Sequence, residues 1–215
     1  MSGKQFRFLR IAMIMFFFPI RIGQTECPDP CPPVCPPQPS MCAAASCGNN
    51  AVAPHQSGED WSAETLDDSP FTIGGSGCYL SCFSAIVGQT PDQTNQSLSS
   101  TGAIDSHGNM DGNWAALQYQ LNYTEIGTSD AEIENALCNG QVVACVCSRI
   151  THDSHGIVCT DAITGDQHFV LVNGEVYDSS EQVCRFTVSD PASFCSKFYL
   201  DQYPCVFGVR LFSSQ

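Results

Sequence analysis

Ser129-Asp-Ala-Glu-Ile-Glu-Asn-Ala-Leu-Cys-Asn-Gly-Gln-Val-Val-Ala-Cys-Val-Cys-Ser-Arg149 contains the change of period that decides the fold. Ser129 followed three residues later by Glu132 is a capping box, in which each side chain satisfies a backbone N–H that the first helical turn leaves open. The helix it opens runs to about Cys138 and stops at Asn139-Gly140. From Gln141 the period is two. Residues 141–149, 168–173, 182–189 and 203–212 are β-branched or aromatic-rich runs bounded by turn residues, the pattern of strands. Upstream the signals are helical. Gly74, Gly75 and Gly77 lead into a helix over 77–87 closed by Gly88, and two more helices are expected over 91–99 and 111–121. Helices first and strands later predict an α+β domain, with an N-terminal helical part packed on a C-terminal antiparallel sheet.

Composition limits what this domain can do. The 215 residues are 43% hydrophobic and 14% charged, enough for one core and too apolar for wholesale disorder. Eight Lys and Arg stand against 22 Asp and Glu, a formal net charge of −14. Nucleic acid and anionic membrane surfaces need clustered cations, so both are excluded as partners. Lys4, Arg7 and Arg10 precede the apolar run 11–20, the layout of a secretory signal over 1–25 with a cleavage site near Gly23-Gln-Thr25. The run is half the length of a membrane span, and no stable span is expected after cleavage. Four cations leave with the signal, so the mature chain keeps 4 cations and 22 acids, about −18. The expected location is extracellular. Asn95-Gln-Ser97 and Asn122-Tyr-Thr124 are glycosylation triplets that fit this route.

Fourteen cysteines also suit an oxidising compartment. Five of them (27, 31, 35, 42 and 47) fall in a segment where seven prolines lie between Pro28 and Pro39. Such proline density forbids helix and ladder, so 26–55 reads as a cross-linked stalk or linker before a domain over 56–215. Five is odd, which leaves one cysteine to pair between chains or with the domain. The domain holds nine cysteines, and a free Cys78 leaves eight for up to four bridges. Cys145 and Cys147 are expected to point to opposite faces of their strand and not to bridge each other. The insertion 151–166 carries His152, His155 and Cys159, which admit a zinc site. Its glycine, serine and aspartate favour a flexible solvated loop, and neither a metal nor a cofactor is expected.

Chemistry concentrates at Cys78. Where a glycine-rich loop becomes a helix, the sulfur faces unpaired backbone N–H groups, which stabilise a thiolate and an oxyanion formed on its attack. Such a nucleophile needs a base and an orienting group. His168 opens the apolar strand Gln-His-Phe-Val-Leu-Val-Asn-Gly, and Asp190 ends the next strand in Phe-Thr-Val-Ser-Asp-Pro. If these strands pair as neighbours, the carboxylate reaches the imidazole and fixes its tautomer. Taken singly, each residue has a plainer reading: half a disulfide, a satisfied strand histidine, an Asp-Pro turn.

Phe71-Thr-Ile-Gly-Gly-Ser-Gly-Cys78 at the start of a helix resembles the nucleophile segment of the bacteriocin-processing-like branch of the papain-like cysteine peptidases. Thr90-Pro-Asp, Gly-Asn-Met-Asp-Gly-Asn-Trp114, 131–140, Gln-Val-Val-Ala144, His168-Phe-Val-Leu-Val-Asn-Gly and Val-Ser-Asp190-Pro follow in that family's order. The resemblance covers about 51–192. It implies a papain-like fold and a secreted peptidase acting on a peptide or protein substrate. Cys78 is then nucleophile, His168 general base and acid, and Asp190 the group that orients His168. It further implies that Gln56, in Val52-Ala-Pro-His-Gln56, completes the oxyanion hole through its amide, as against being a polar linker residue. Two departures stand out: the insertion 151–166, and Tyr79-Leu-Ser-Cys82, where relatives carry small residues. Tyr79 can narrow the cleft, and Cys82, four residues on, can pack or pair with Cys78. The alternatives are a catalytically inactive, disulfide-rich binding or structural domain with Cys78 oxidised to Cys82, and acyl transfer or amidase chemistry in the same cleft.

Overall fold

The computed structural model describes residues 47–48, 51–147, 149–153, 156–160, 167–178, 180–192 and 197–215. The expected export signal and most of the cysteine-proline segment lie outside these residues. The path opens with a short turn of helix, α1 (Ile73–Ser76), followed at once by α2 (Cys78–Val87). Gly77 joins them and has no room for a side chain, because a Cβ there would meet Ile73 O at 2.5 Å. Gly88 closes α2 in the left-handed conformation, φ 69°, which glycine adopts without strain. Leu80 and Phe83 on α2 are almost fully buried, worth about 1.5–3 kcal/mol each in area removed from water. Next come α3 (Pro91–Leu98) and α4 (Gly112–Gln118). Asp111 caps α4 by accepting from the backbone N–H of Asn113 and Trp114.

The rest of the chain builds the sheet around one further helix. In order it forms β1 (Leu121–Ile126), α5 (Asp130–Leu137), β2 (Gln141–Cys147), β3 (Arg149–Asp153), β4 (Gly156–Thr160), β5 (Gln167–Asp178), β6 (Val183–Ser189) and β7 (Val206–Ser214). Five strands make one antiparallel sheet in the order β1-β7-β2-β5-β6, while β3 and β4 pair as a separate hairpin. The core falls on both faces of that sheet. Val143, Leu171 and Phe212 pack with α2, α3 and α4; Val142, Ala144, Val146, Val170 and Val172 pack with Ile133 and Leu137 of α5. The α+β class with its antiparallel sheet is the architecture the change of period predicts.

Four details depart from expectation. The helix expected over 111–121 ends at Gln118, Gln120 turns the chain at φ 55°, and Leu121 begins an edge strand. That strand is half polar and half exposed, so its composition hides it. Part of the insertion expected as a flexible loop is the β3–β4 hairpin. His155 of the zinc alternative lies outside the described residues, and no metal-holding cluster occurs among the residues described. Finally, residues two apart on a strand share a face. Cys145 and Cys147 therefore lie on the same side of β2 as Val143, which corrects the expectation of opposite faces.

A disulfide joins Cys47 to Cys138 at the end of α5, so the odd cysteine of the N-terminal group pairs with the domain. Cys78 and Cys82 are both free, while Cys145, Cys147, Cys184 and Cys205 are disulfide-bonded. Of the eight cysteines that permit up to four bridges, Cys82 is free and Cys138 pairs with Cys47 of the preceding segment. The Cys47 tie brings the end of the segment read as linker into the packed domain. Ala53 is in the core, and its N–H donates to Ser189 Oγ at 2.9 Å.

Candidate active site

Three elements bring the predicted residues together. Cys78 is the first residue of α2, set by the tight α1–Gly77–α2 junction. His168 is the second residue of β5. The antiparallel register pairs Leu171 with Ser189, so Asp190, one residue past β6, lies a diagonal step from His168. His168 Nε2 and Asp190 Oδ1 are 2.6 Å apart, and both side chains are buried. The neighbouring strands expected from the sequence are thus what joins base and carboxylate. Cys78 also acts electrostatically on the His168 ring and raises its pKa. With Nε2 committed to Asp190, Nδ1 is the nitrogen left for the sulfur.

The electrostatics favour a charged imidazolium. Burial opposes charge on His168, but the hydrogen bond to Asp190, the interaction with Cys78 and the charges of both groups outweigh it and push His168 up to about 10. Burial likewise opposes the Asp190 carboxylate. It is nevertheless held below its ordinary value by His168, by the Tyr203 hydroxyl and by the Ala192 N–H. Folding stability inherits a pH window from these shifts. The raised His168 contributes fully below its ordinary 6.5 and loses its contribution as pH rises through about 10. The lowered Asp190 contributes above its ordinary 3.8 and loses it as pH falls below that value. The stability difference between wild type and His168→Gln, followed by urea unfolding across pH, is expected to be largest between 3.8 and 6.5 and to shrink towards 10. A difference that does not vary with pH would contradict the pairing.

The two free thiols are not equivalent. Cys82 is fully buried and donates to Phe169 O at 3.5 Å, and burial, followed by the charges of Cys78 and Asp190, drives its pKa well up. Cys78 lines a cleft walled by Tyr79, Met110, Tyr123, Phe169 and Arg210. The Tyr79 ring, which lines the same cleft, stacks on Phe169 at 4.3 Å, with the Arg210 guanidinium 5.4 Å from one ring centre and 4.9 Å from the other.

Gln56 is buried, and two hydrogen bonds fix it between the catalytic segments. Its backbone N–H donates to Pro191 O at 2.9 Å, and Nε2 donates to Gly74 O at 3.2 Å, on the loop leading to Cys78. One N–H of that amide is used by Gly74, which leaves the second for a transient acceptor. Sequence reading missed Tyr203, whose hydroxyl donates to Asp190 Oδ2 at 2.5 Å. It also missed Arg210. Tyr203 stands thirteen residues beyond Asp190 and outside any motif, and no local signal marks it.

The α1–α2 junction makes a sharp test of how closely Cys78 must be placed. Because a Cβ on Gly77 would sit 2.5 Å from Ile73 O and 2.9 Å from Ile73 Cα, both backbone atoms, α2 must shift to admit it. Gly77→Ala is expected to cost about 1–3 kcal/mol in stability and to change the rate at which iodoacetamide alkylates the Cys78 thiol, through displacement of Cys78. Thermal melts and alkylation rates measured on one preparation check both. No family model matches the chain, and no curated protein sequence does either.

Proposed function

We propose that the chain is a secreted cysteine peptidase of papain-like fold. The observation that carries this reading is the buried His168–Asp190 pair, 2.6 Å apart, with the free thiol of Cys78 at the first residue of α2 acting electrostatically on the imidazole. In the reaction, the Cys78 thiolate attacks a peptide carbonyl carbon and forms a C–S bond. The N–H groups at the start of α2 and the second amide N–H of Gln56 stabilise the oxyanion. Protonated His168 gives its proton to the leaving amine as the C–N bond breaks. Neutral His168 then takes a proton from water, whose oxygen attacks the thioester and releases the acid and Cys78.

Two free thiols at 78 and 82 support this over an inactive domain with an oxidised pair. Among the described residues, Arg185 is engaged by Asp178, Glu181 and Asp201, and Arg210 is buried beside the cleft. Export is part of the same proposal. The basic-then-apolar residues 1–25 and the Cys47–Cys138 disulfide support it, since such bridges persist in oxidising compartments. Among the described residues no helix is long and apolar enough to cross a membrane. Of the two glycosylation triplets, Asn122 is exposed on β1, whereas the Asn95 amide is buried and donates to Thr65 O at 2.8 Å. A glycan therefore suits only Asn122.

The test is alkylation of the native, unreduced protein by iodoacetamide, with peptide mapping. Modification at Cys78 and protection of Cys82 is the expected result. An unmodified Cys78 would overturn the proposal.

A further inference from the structure

We infer that Tyr203 is a positioning residue of this site: its phenol holds the Asp190 carboxylate so that Oδ1 stays on His168 Nε2 and Nδ1 faces Cys78. The inference rests on the peptidase reading above and concerns how its base is kept aligned. A carboxylate at the end of a strand is free to turn about its last side-chain bond, and a partial turn would carry its oxygens away from their donors. Here each oxygen has its own donor. Oδ1 accepts from His168 at 2.6 Å and from the Ala192 N–H at 2.8 Å, and Oδ2 accepts from the Tyr203 hydroxyl at 2.5 Å. Turning the group would break all three bonds.

The phenol is itself well anchored. Tyr203 is 5% exposed and follows a tight 3-10 turn, Leu200–Gln202, to which its N–H is bonded through Leu200 O. Gln202 Oε1 braces that turn by accepting from the N–H groups of Phe198 and Tyr199. The turn is pinned to β6 by Val188 N–H on Phe198 O at 2.9 Å. Lys197 Nζ lies 4.6 Å over the Tyr203 ring. Burial, followed by the Asp190 charge, raises the phenol far above its ordinary value, so it remains a neutral donor wherever His168 titrates. The charged and titratable groups around this unit are Cys78 and Cys82 from α2, His168 from β5, Asp190 after β6, and Lys197 before the 3-10 turn.

Tyr203→Phe removes one oxygen and keeps the ring. Two effects on His168 then oppose each other. A carboxylate without the phenol is more basic and would draw the imidazolium's pKa up; a carboxylate no longer held loses its short bond to Nε2 and lets that pKa fall. The Asp190 hydrogen bond is the largest influence raising His168. For a positioning residue the second effect therefore dominates. The readout is the rate of Cys78 alkylation by iodoacetamide against pH, on the full chain, with peptide hydrolysis alongside. The basic limb of the profile is expected to move to lower pH. kcat is expected to fall roughly 10- to 100-fold, with KM within about threefold. In an Asp190→Asn background the same tyrosine change should move neither limb further.

An unmoved limb in a protein that melts normally overturns the inference, and so does a limb moved upward. A shift that persists in full in the Asp190→Asn background overturns it as well. Alkylation needs no substrate. If the wild type hydrolyses no peptide, the peptidase reading falls, while the alkylation profile still decides whether Tyr203 acts through Asp190.

Discussion

Cys78→Ala is expected to lower peptide hydrolysis by at least about 10⁵-fold while leaving the melting temperature within a few degrees of wild type. On the proposed mechanism the loss is large because the covalent route disappears with the thiol. Cys82 cannot substitute, since it is buried beneath the cleft, bonded to Phe169 O, and raised well above the ordinary thiol range. The fold should tolerate the change because Cys78 sits at the rim of the packing, 9% exposed at a helix start, whereas Cys82 is sealed at 0%. Removing the thiol also takes from His168 one of the partners that raise it, so the imidazole should titrate at lower pH in the variant. Hydrolysis of a peptide panel, a thermal melt and the histidine titration are the measurements. Activity within tenfold of wild type in Cys78→Ala would sink the assignment.

The Cys47–Cys138 bridge should have the largest effect on stability. It closes a loop across a separation of 91 residues. The only cysteines between its ends, Cys78 and Cys82, are free thiols, so nothing else cross-links that stretch internally. In the chain-entropy account a loop of this length is worth about 4–5 kcal/mol. In a domain of this size that is roughly 10–15 °C in Tm. Replacing both cysteines with alanine avoids leaving a stray thiol and isolates the cross-link. The same change should loosen 47–56, because Gly48, bridged to Gly174, and Ala53 and Gln56 lie just beyond Cys47. Activity should therefore fall as well, through Gln56, even at temperatures where the fold survives. A Tm change below about 3 °C would mean that packing already holds the segment.

Much of the site was legible because its parts are local. A glycine-rich approach, a cysteine at a helix start, a histidine opening an apolar strand and an Asp-Pro after the next strand each show within about ten residues. Strand pairing of β5 with β6 then suffices to join His168 to Asp190. Gln56 was half legible. Its neighbours look like linker, and only the bond from its backbone to Pro191 O shows that it belongs beside Asp190. Strand β1 escaped detection because an edge strand exposed on one side needs few apolar residues. Tyr203 escaped because its partner lies across a turn with no fixed spacing.

By itself, the sequence determined the class of the fold and the elements carrying Cys78, His168 and Asp190. These follow from periodicity and capping, both of which act over a turn or two of chain. Only the tertiary structure decided the strand order β1-β7-β2-β5-β6, the pairing of Cys47 with Cys138, the free state of Cys78 and Cys82, and the phenol behind Asp190. Each of these is a contact between residues distant in the chain, or the lack of one. Such contacts depend on how whole faces bury against one another, and no local preference carries that information.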